Sequence, residues 1–382
     1  MTAPAAPEPY HVYLMDLSYF SGKLEAYLRW KEIPYERVEV GWREMQRVLL
    51  PNTGLMKVPT VRTPEGLWLQ DSTPIIDWME ERHPAGAVVP EDPFQAFFVR
   101  LAEDHADEWM WRPALHYRWS FAPDARLLGE RIADEVMKDV PIPRRLRAAF
   151  VRRRQRQVYV RGDGVTAETR PHVEAAYRRA IAQLTAILRG GRYLLGDRPS
   201  LADFGFFASM FRHFALDPTP SRIMRDEAPD VLAWVARLWS ARASLEKGDP
   251  PPAGTLPQGW ETLLREIGET HLPYLHANAV AWREGRRRFD WTVQGVTYRA
   301  TPVVRYRVWC RERLQDHFQA LPPSVKPAVR SVLQETGAWE PLWAGGIVRS
   351  RLHEGAKPPV CRPAQGRPSL RALRDGTPWN AD

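Results

Sequence analysis

The chain has 382 residues, 44% of them hydrophobic and 26% charged, with a net charge of +8; it is long enough for two or three domains and a sizeable core, and no stretch approaches the roughly 18 uncharged apolar residues of a membrane span. Only Cys310 and Cys361 occur, which excludes a disulfide framework, a Cys-rich zinc site and an iron–sulfur centre. With no basic or long apolar leader at the start, the expectation is a cytoplasmic protein without a membrane partner.

Residues 10–15, Tyr-His-Val-Tyr-Leu-Met, read as a first strand. A turn from Asp16 to Gly22 follows, then a helix over Lys23–Lys31 with Leu24, Tyr27 and Leu28 on one face. Pro34 ends it, and Tyr35–Val40 alternates like a second strand. After a helical stretch ending near Leu50, two short strands, Val58–Val61 and Leu67–Leu69, flank the turn Thr63-Pro-Glu-Gly66. Ser72–Glu81 is a further helix, closed by His83-Pro84. The order β-α-β-α-β-β-α predicts a mixed sheet with helices on both faces.

From Phe94 to Ser244 every periodic segment is helical. Ser200-Leu-Ala-Asp203 is a helix start, with a Ser cap and an acid three residues on. Arg144 to Arg161 holds eight arginines and no acid, with only Phe150 and Tyr159 interleaved. It reads as a solvated helix face, and a nucleic-acid partner is not expected. Gly248–Gly254 is the clearest linker, and the remaining residues read as a separate mixed α+β unit. Within it, Phe289–Val293 and Val296–Tyr298 form a hairpin around Gln294-Gly295. Thr301-Pro302 offers a cap and first-turn proline for a helix to Phe318, and the Pro- and Arg-rich tail after Arg351 is expected to be extended.

Three segments carry a resemblance: Lys57-Val58-Pro59-Thr60, Gln70-Asp71-Ser72-Thr73-Pro74-Ile75-Ile76, and Ser200-Leu201-Ala202-Asp203. With the element order, they make residues 1–86 similar to the thioredoxin-like domain of the glutathione transferase family and residues 94–247 similar to its all-helical domain. Residues 255–382 are an extension outside that pattern. The resemblance implies glutathione as co-substrate, with Val58 before a cis Pro59 pairing its main chain with the tripeptide. Lys57, Val58, Pro59, Asp71 and Ser72 are the implied glutathione-binding residues, the start of the helix at Ser72 receiving the γ-glutamyl carboxylate.

Counting back from Glu25-Ala-Tyr-Leu28 in the family pattern places Ser18 where its hydroxyl stabilises the glutathione thiolate; Tyr19, Ser21 and Tyr13 are alternatives. The lack of any cysteine before Cys310 excludes the Cys-type classes. His105, Trp109, Arg112, His116 and Trp119 recur at steps of 4, 3, 4 and 3, so they share a helical face; the first four are the expected wall of a pocket for a hydrophobic electrophile. The family is commonly dimeric, and Trp78, Phe97 and Phe98 are candidates for that interface. No phosphate loop, helical His pair or nucleophile elbow competes, and no metal site is expected. The alternative reading is a non-catalytic scaffold that uses the basic extension.

Overall fold

The computed structural model describes residues 9–246, 248–249, 251–353 and 358–361. Strand β1 (Tyr10–Leu14) pairs in parallel with β2 (Tyr35–Glu39), and helix α1 (Tyr19–Trp30) makes the crossover between them. Short helices α2 (Trp42–Glu44) and α3 (Leu50–Thr53) are joined by a π-type turn. Antiparallel strands β3 (Thr60–Arg62) and β4 (Trp68–Gln70) complete a sheet of order β2-β1-β3-β4, followed by α4 (Ser72–Arg82). The mixed sheet expected from the sequence is formed, with Val12, Leu14, Val61 and Leu69 buried in it.

The helical part comprises α5 (Pro93–Glu108), α6 (Trp111–Ser120), α7 (Ala122–Glu135), α8 (Arg144–Gln155), α9 (Arg170–Leu188), α10 (Leu201–Ser209), α11 (Pro218–Glu227) and α12 (Pro229–Ser240). Helix α10 is buried on every side, as an apolar run without a polar face must be. It crosses α5 so closely that a Cβ on Gly205 would lie 2.9 Å from Glu103 Cα. Its start is fixed by Asp203, whose carboxylate accepts from Leu194 N–H, Ser200 N–H and Oγ, and Trp234 Nε1–H, all within 3.0 Å. Beneath α4, the fully buried Lys23 Nζ donates to Thr73 Oγ1 at 2.8 Å and Asp107 Oδ2 at 2.5 Å and pairs with Glu103, tying α1, α4 and α5 together.

The last third is not a separate unit. Helices α13 (Trp260–Glu266) and α14 (Leu272–Arg283), hairpin β5 (Arg288–Val293) and β6 (Val296–Pro302), and helices α15 (Arg305–Ala320), α16 (Lys326–Glu335) and α17 (Trp339–Trp343) share one hydrophobic core with the helical part. The buried indole of Trp260 donates to Leu194 O at 2.6 Å. Even the linker is docked, with Gln95 Nε2 donating to Pro251 O, Pro252 O and Thr255 O. The hairpin turns at Gln294-Gly295, both at positive φ (46° and 76°), as a tight two-residue turn requires.

Two expectations are corrected here. Thr301-Pro302 ends β6 instead of starting a helix, because Trp291 Nε1–H donates to Thr301 Oγ1 and Arg288 pairs opposite Pro302. The face expected to meet a second copy is occupied by the chain's own α15. Phe97 packs on Phe318 with ring centroids 5.9 Å apart, Phe98 is fully buried, and Asp77 is held between Arg100 and Arg313 at 2.8 and 2.5 Å. Trp78 lines a groove against Trp309. Of the tail, Pro358–Cys361 lies against the edge of β4, with Gln70 N–H donating to Pro359 O and Cys361 N–H to Trp68 O. The remainder of the tail falls outside the described residues.

Asp203→Asn should lower stability by about 3 kcal/mol at neutral pH, since an amide cannot accept from all four donors; urea melts check this. Burial raises the Asp203 carboxyl to about 6, so the folded chain holds that proton more tightly than the unfolded one. Stability from this group is therefore lost as pH rises from about 4 to 6. The wild-type melts should show that component and Asp203→Asn should not.

Candidate functional site

The register of the sheet gathers the three candidate segments at one end. Tyr13, Thr60 and Gln70 stand side by side across β1, β3 and β4. Ser18 follows β1 at that end, Val58-Pro59 leads into β3 there, and Asp71-Ser72 leaves β4 there.

Ser18 caps α1 from an extended backbone conformation, its Oγ accepting from Ser21 N–H at 3.3 Å. The turn that carries it is braced on both sides. Ser18 N–H donates to Met15 O, Ser21 Oγ accepts from Met15 N–H, and the buried Arg118 donates to Leu17 O at 2.7 Å. Arg118 is itself held by Asp217. The Ser18 hydroxyl is half-buried at the positive end of α1 and, among the described residues, donates to no partner.

The alternatives are placed differently. Ser21 is buried and used by Met15 N–H; Tyr19 is buried and donates to Ala106 O. Tyr13 packs on Trp68 in the small cluster that also takes Met15, Trp42 and Val58, and burial raises its phenol.

The Val58–Pro59 bond is cis. Among the described residues neither Val58 N–H nor its C=O makes a backbone hydrogen bond, so both remain for a ligand strand. Asp71 does not cap α4 with its side chain. Its backbone is left-handed (φ 78°). Burial raises this carboxyl, against the opposing pull of the nearby Tyr306, Lys23, Arg313 and Lys57. Ser72 is buried at the first position of α4. Lys57 lies within reach of the charges of Asp71 and Glu108, makes no ion pair among the described residues, and is lowered by burial.

The expected electrophile wall is not a cleft. Arg112 sits 5.1–5.4 Å from the ring centres of Trp109, Tyr274, Trp291 and Tyr298 and donates to Asp163 O at 3.0 Å. Trp109 and Arg112 are thereby buried under α14 and the hairpin. His105 is buried beside Phe206 and His271, with burial pushing it well below its ordinary value. His116 is buried between Glu174 and Ser120. The single helix expected from the spacing is instead two, α5 ending at Glu108 and α6 starting at Trp111; the extension packs on His105, Trp109 and Arg112, while His116 faces Glu174 of α9. Sequence reasoning missed instead Phe20, two residues from Ser18. It stacks on the half-buried Trp111 at 5.9 Å, and Tyr159 closes edge-on against Trp111 at 5.7 Å. Trp111 was visible as the second indole of Trp109-Met-Trp111.

Two family profiles match: the glutathione S-transferase N-terminal domain over residues 12–87 and the glutathione S-transferase C-terminal domain over residues 136–241. No curated protein matches the chain. Similar solved structures include the β-etherase LigF of a Sphingobium species, 22% identical with a TM-score of 0.46, covering 62% of this chain and 97% of its own. A glutathione S-transferase of Rhodospirillum rubrum is 19% identical with a TM-score of 0.41, covering 66% of this chain and 97% of its own. One of Methylobacterium radiotolerans, in complex with glutathione sulfonate, is 22% identical with a TM-score of 0.39, over 60% of this chain and 90% of its own. Residues 12–87 and 136–241 thus match the two domains of the glutathione S-transferase family, in agreement with the strand order and the helical domain that follows it.

Proposed function

We propose that the chain binds glutathione at the end of the four-stranded sheet and uses its thiolate against a hydrophobic electrophile. The observation that carries this reading is the Ser18 hydroxyl, half-buried at the start of α1 and donating to no partner among the described residues, at the same end of the sheet as the unpaired Val58 backbone and the α4 N-terminus. A free thiol ionises near about 8.5. A hydroxyl donating to sulfur, aided by the helix N-terminus, favours the anion at neutral pH. The thiolate then forms a bond to carbon as the leaving group departs with its electron pair, and the thiol proton passes to solvent. Phe20, Trp111 and Tyr159 supply the aromatic surface beside Ser18 for the electrophile. Conjugation, dehalogenation, ether cleavage, isomerisation and peroxide reduction all draw on this one anion.

A second reading, a non-catalytic scaffold, is favoured by one observation: the extension covers the helical face expected to line the electrophile pocket. Retention on immobilised glutathione followed by conjugation of an aromatic halide separates the two. On the enzymatic reading, Ser18→Ala retains glutathione affinity within a few fold and loses roughly 10- to 100-fold in kcat. Its bound thiol titrates at higher pH by thiolate absorbance. Retention without turnover in the wild type supports the scaffold.

The chain's own thiols are unsuited to that work. Burial and the nearby Asp104 and Glu108 push Cys310 well above its ordinary value, and burial with Asp71 pushes Cys361 up to about 11. An aromatic disulfide reagent at pH 8 should react slowly or not at all with native protein and with two thiols after denaturation; a fast native equivalent would contradict this placement. Because α15 covers the Phe97 face, we also infer a monomer, and light scattering should give a mass near 44.0 kDa.

A further inference from the structure

We propose that α8 is a membrane-surface helix: its outward face, with Leu146 and Phe150 set among arginines, binds the anionic headgroups and upper acyl chains of a lipid bilayer. The inference stands independently of the glutathione reading. Three observations lead to it.

The first is a helix face turned away from the protein. Helix α8 packs on α7 through the buried Ala148 and Val151, and Gly129 of α7 lies against the stem of Arg152. At about 100° per residue, Leu146, Ala149, Phe150 and Arg153 fall on the opposite side. Leu146 is 60% exposed and Phe150 58%, and Ile142, just before the helix, is 48% exposed. Large apolar side chains repeated at steps of four on a solvent face form a contiguous surface rather than a scatter.

The second is charge without a counter-charge. From Val140 to Gly162 the chain carries no acid. Some of its arginines serve the fold: Arg144 pairs with Asp134 at 2.7 Å, Arg147 donates to Met137 O, and Arg156 donates to Trp119 O at 2.7 Å. Arg145 and Arg153 are exposed, and among the described residues neither meets a carboxylate. The acids of α7 are already taken, Glu130 and Asp134 by Arg144 and Glu135 by Arg131.

The third is the partner that satisfies both features. Lipid phosphates answer the arginines, and the acyl boundary beneath them takes the leucine and the phenylalanine, as for a helix lying in the interface plane. A nucleic acid answers the arginines alone. The segment's other aromatic, Tyr159, packs on Trp111, so no stacking platform accompanies Phe150. No helix among the described residues is long and apolar enough to cross a membrane, and α8, with 12 residues, lies on a bilayer rather than spanning it.

The test is co-sedimentation of the full chain with vesicles of phosphatidylcholine alone and of phosphatidylcholine mixed with phosphatidylglycerol, at low and high salt. Wild type is expected to bind the mixed vesicles, to ignore the neutral ones and to be released by salt. Leu146→Gln with Phe150→Gln keeps the charge and should weaken binding by about tenfold or more. Arg145→Gln with Arg153→Gln should weaken it roughly 25-fold, about fivefold for each arginine at the surface. Arg189→Gln with Arg287→Gln removes the same charge from exposed positions elsewhere and should change binding by less than about twofold. As a second readout, Phe150→Cys carrying a polarity-sensitive dye should shift its emission to the blue on mixed vesicles only. Failure to bind the mixed vesicles would overturn the proposal. Binding that survives the loss of Leu146 and Phe150, or that falls as far in the Arg189 and Arg287 control, would also overturn it by reducing the effect to overall charge. Binding to duplex DNA or to an acidic protein without binding to vesicles would give the face to another partner and end the membrane reading.

Discussion

Arg112 and Arg307 are both almost completely buried where the C-terminal extension meets the helical domain, and the seating of the extension follows from neutralising them. A buried guanidinium left unpaired costs several kcal/mol, so each must find a carboxylate or an aromatic face. Asp163 serves both, at 3.2 Å from Arg112 and 3.3 Å from Arg307, and Glu108 completes the shell of Arg307. Four aromatic rings, three of them from the extension, enclose Arg112. Both carboxylates belong to the helical domain, so Arg307 of the extension is neutralised only where α15 docks on it. The extension is accordingly part of the fold rather than a tail hung upon it, and α15 is brought to a fixed position over α5 and α4.

That position has two consequences for the site. It covers the face through which Phe97 was expected to meet another copy, because Phe318 already sits there. It also ties α15 to α4 through the Arg313–Asp77 ion pair, so the extension is fixed against the helix that starts at Ser72.

The fold was largely legible because its first 240 residues are built from local signals. Alternation marked β1 and β2, Pro34 and Gly66 marked turns, and Ser200 with Asp203 announced α10 by a reciprocal pair of bonds that the structure forms. Ser18, Val58 and Asp71 could be placed for the same reason, since each follows or precedes a short strand in a sheet of known order. The His105–His116 stripe shows where such reasoning ends. Periodicity of 3.6 states which residues share a face; it does not state whether that face meets water, substrate or chain. Here it meets Tyr274 and Trp291, more than 150 residues away in sequence. Thr301-Pro302 failed for a like reason: the pair is a sound helix start in isolation, and the pairing of β6 with Arg288 overrides it.

Two groups at the Ser18 end of the sheet, Lys57 and Asp71, have no ion pair among the described residues, and burial lowers the one and raises the other. Arg112 and Arg307 are instead taken up by Asp163 and Glu108 beneath the extension. An opposite charge brought beside either group favours its ionised form. On the proposed reading, a glutamyl head group, with carboxylate and ammonium on one carbon, would offer an opposite charge to both at once, whereas a singly charged ligand would serve one and leave the other.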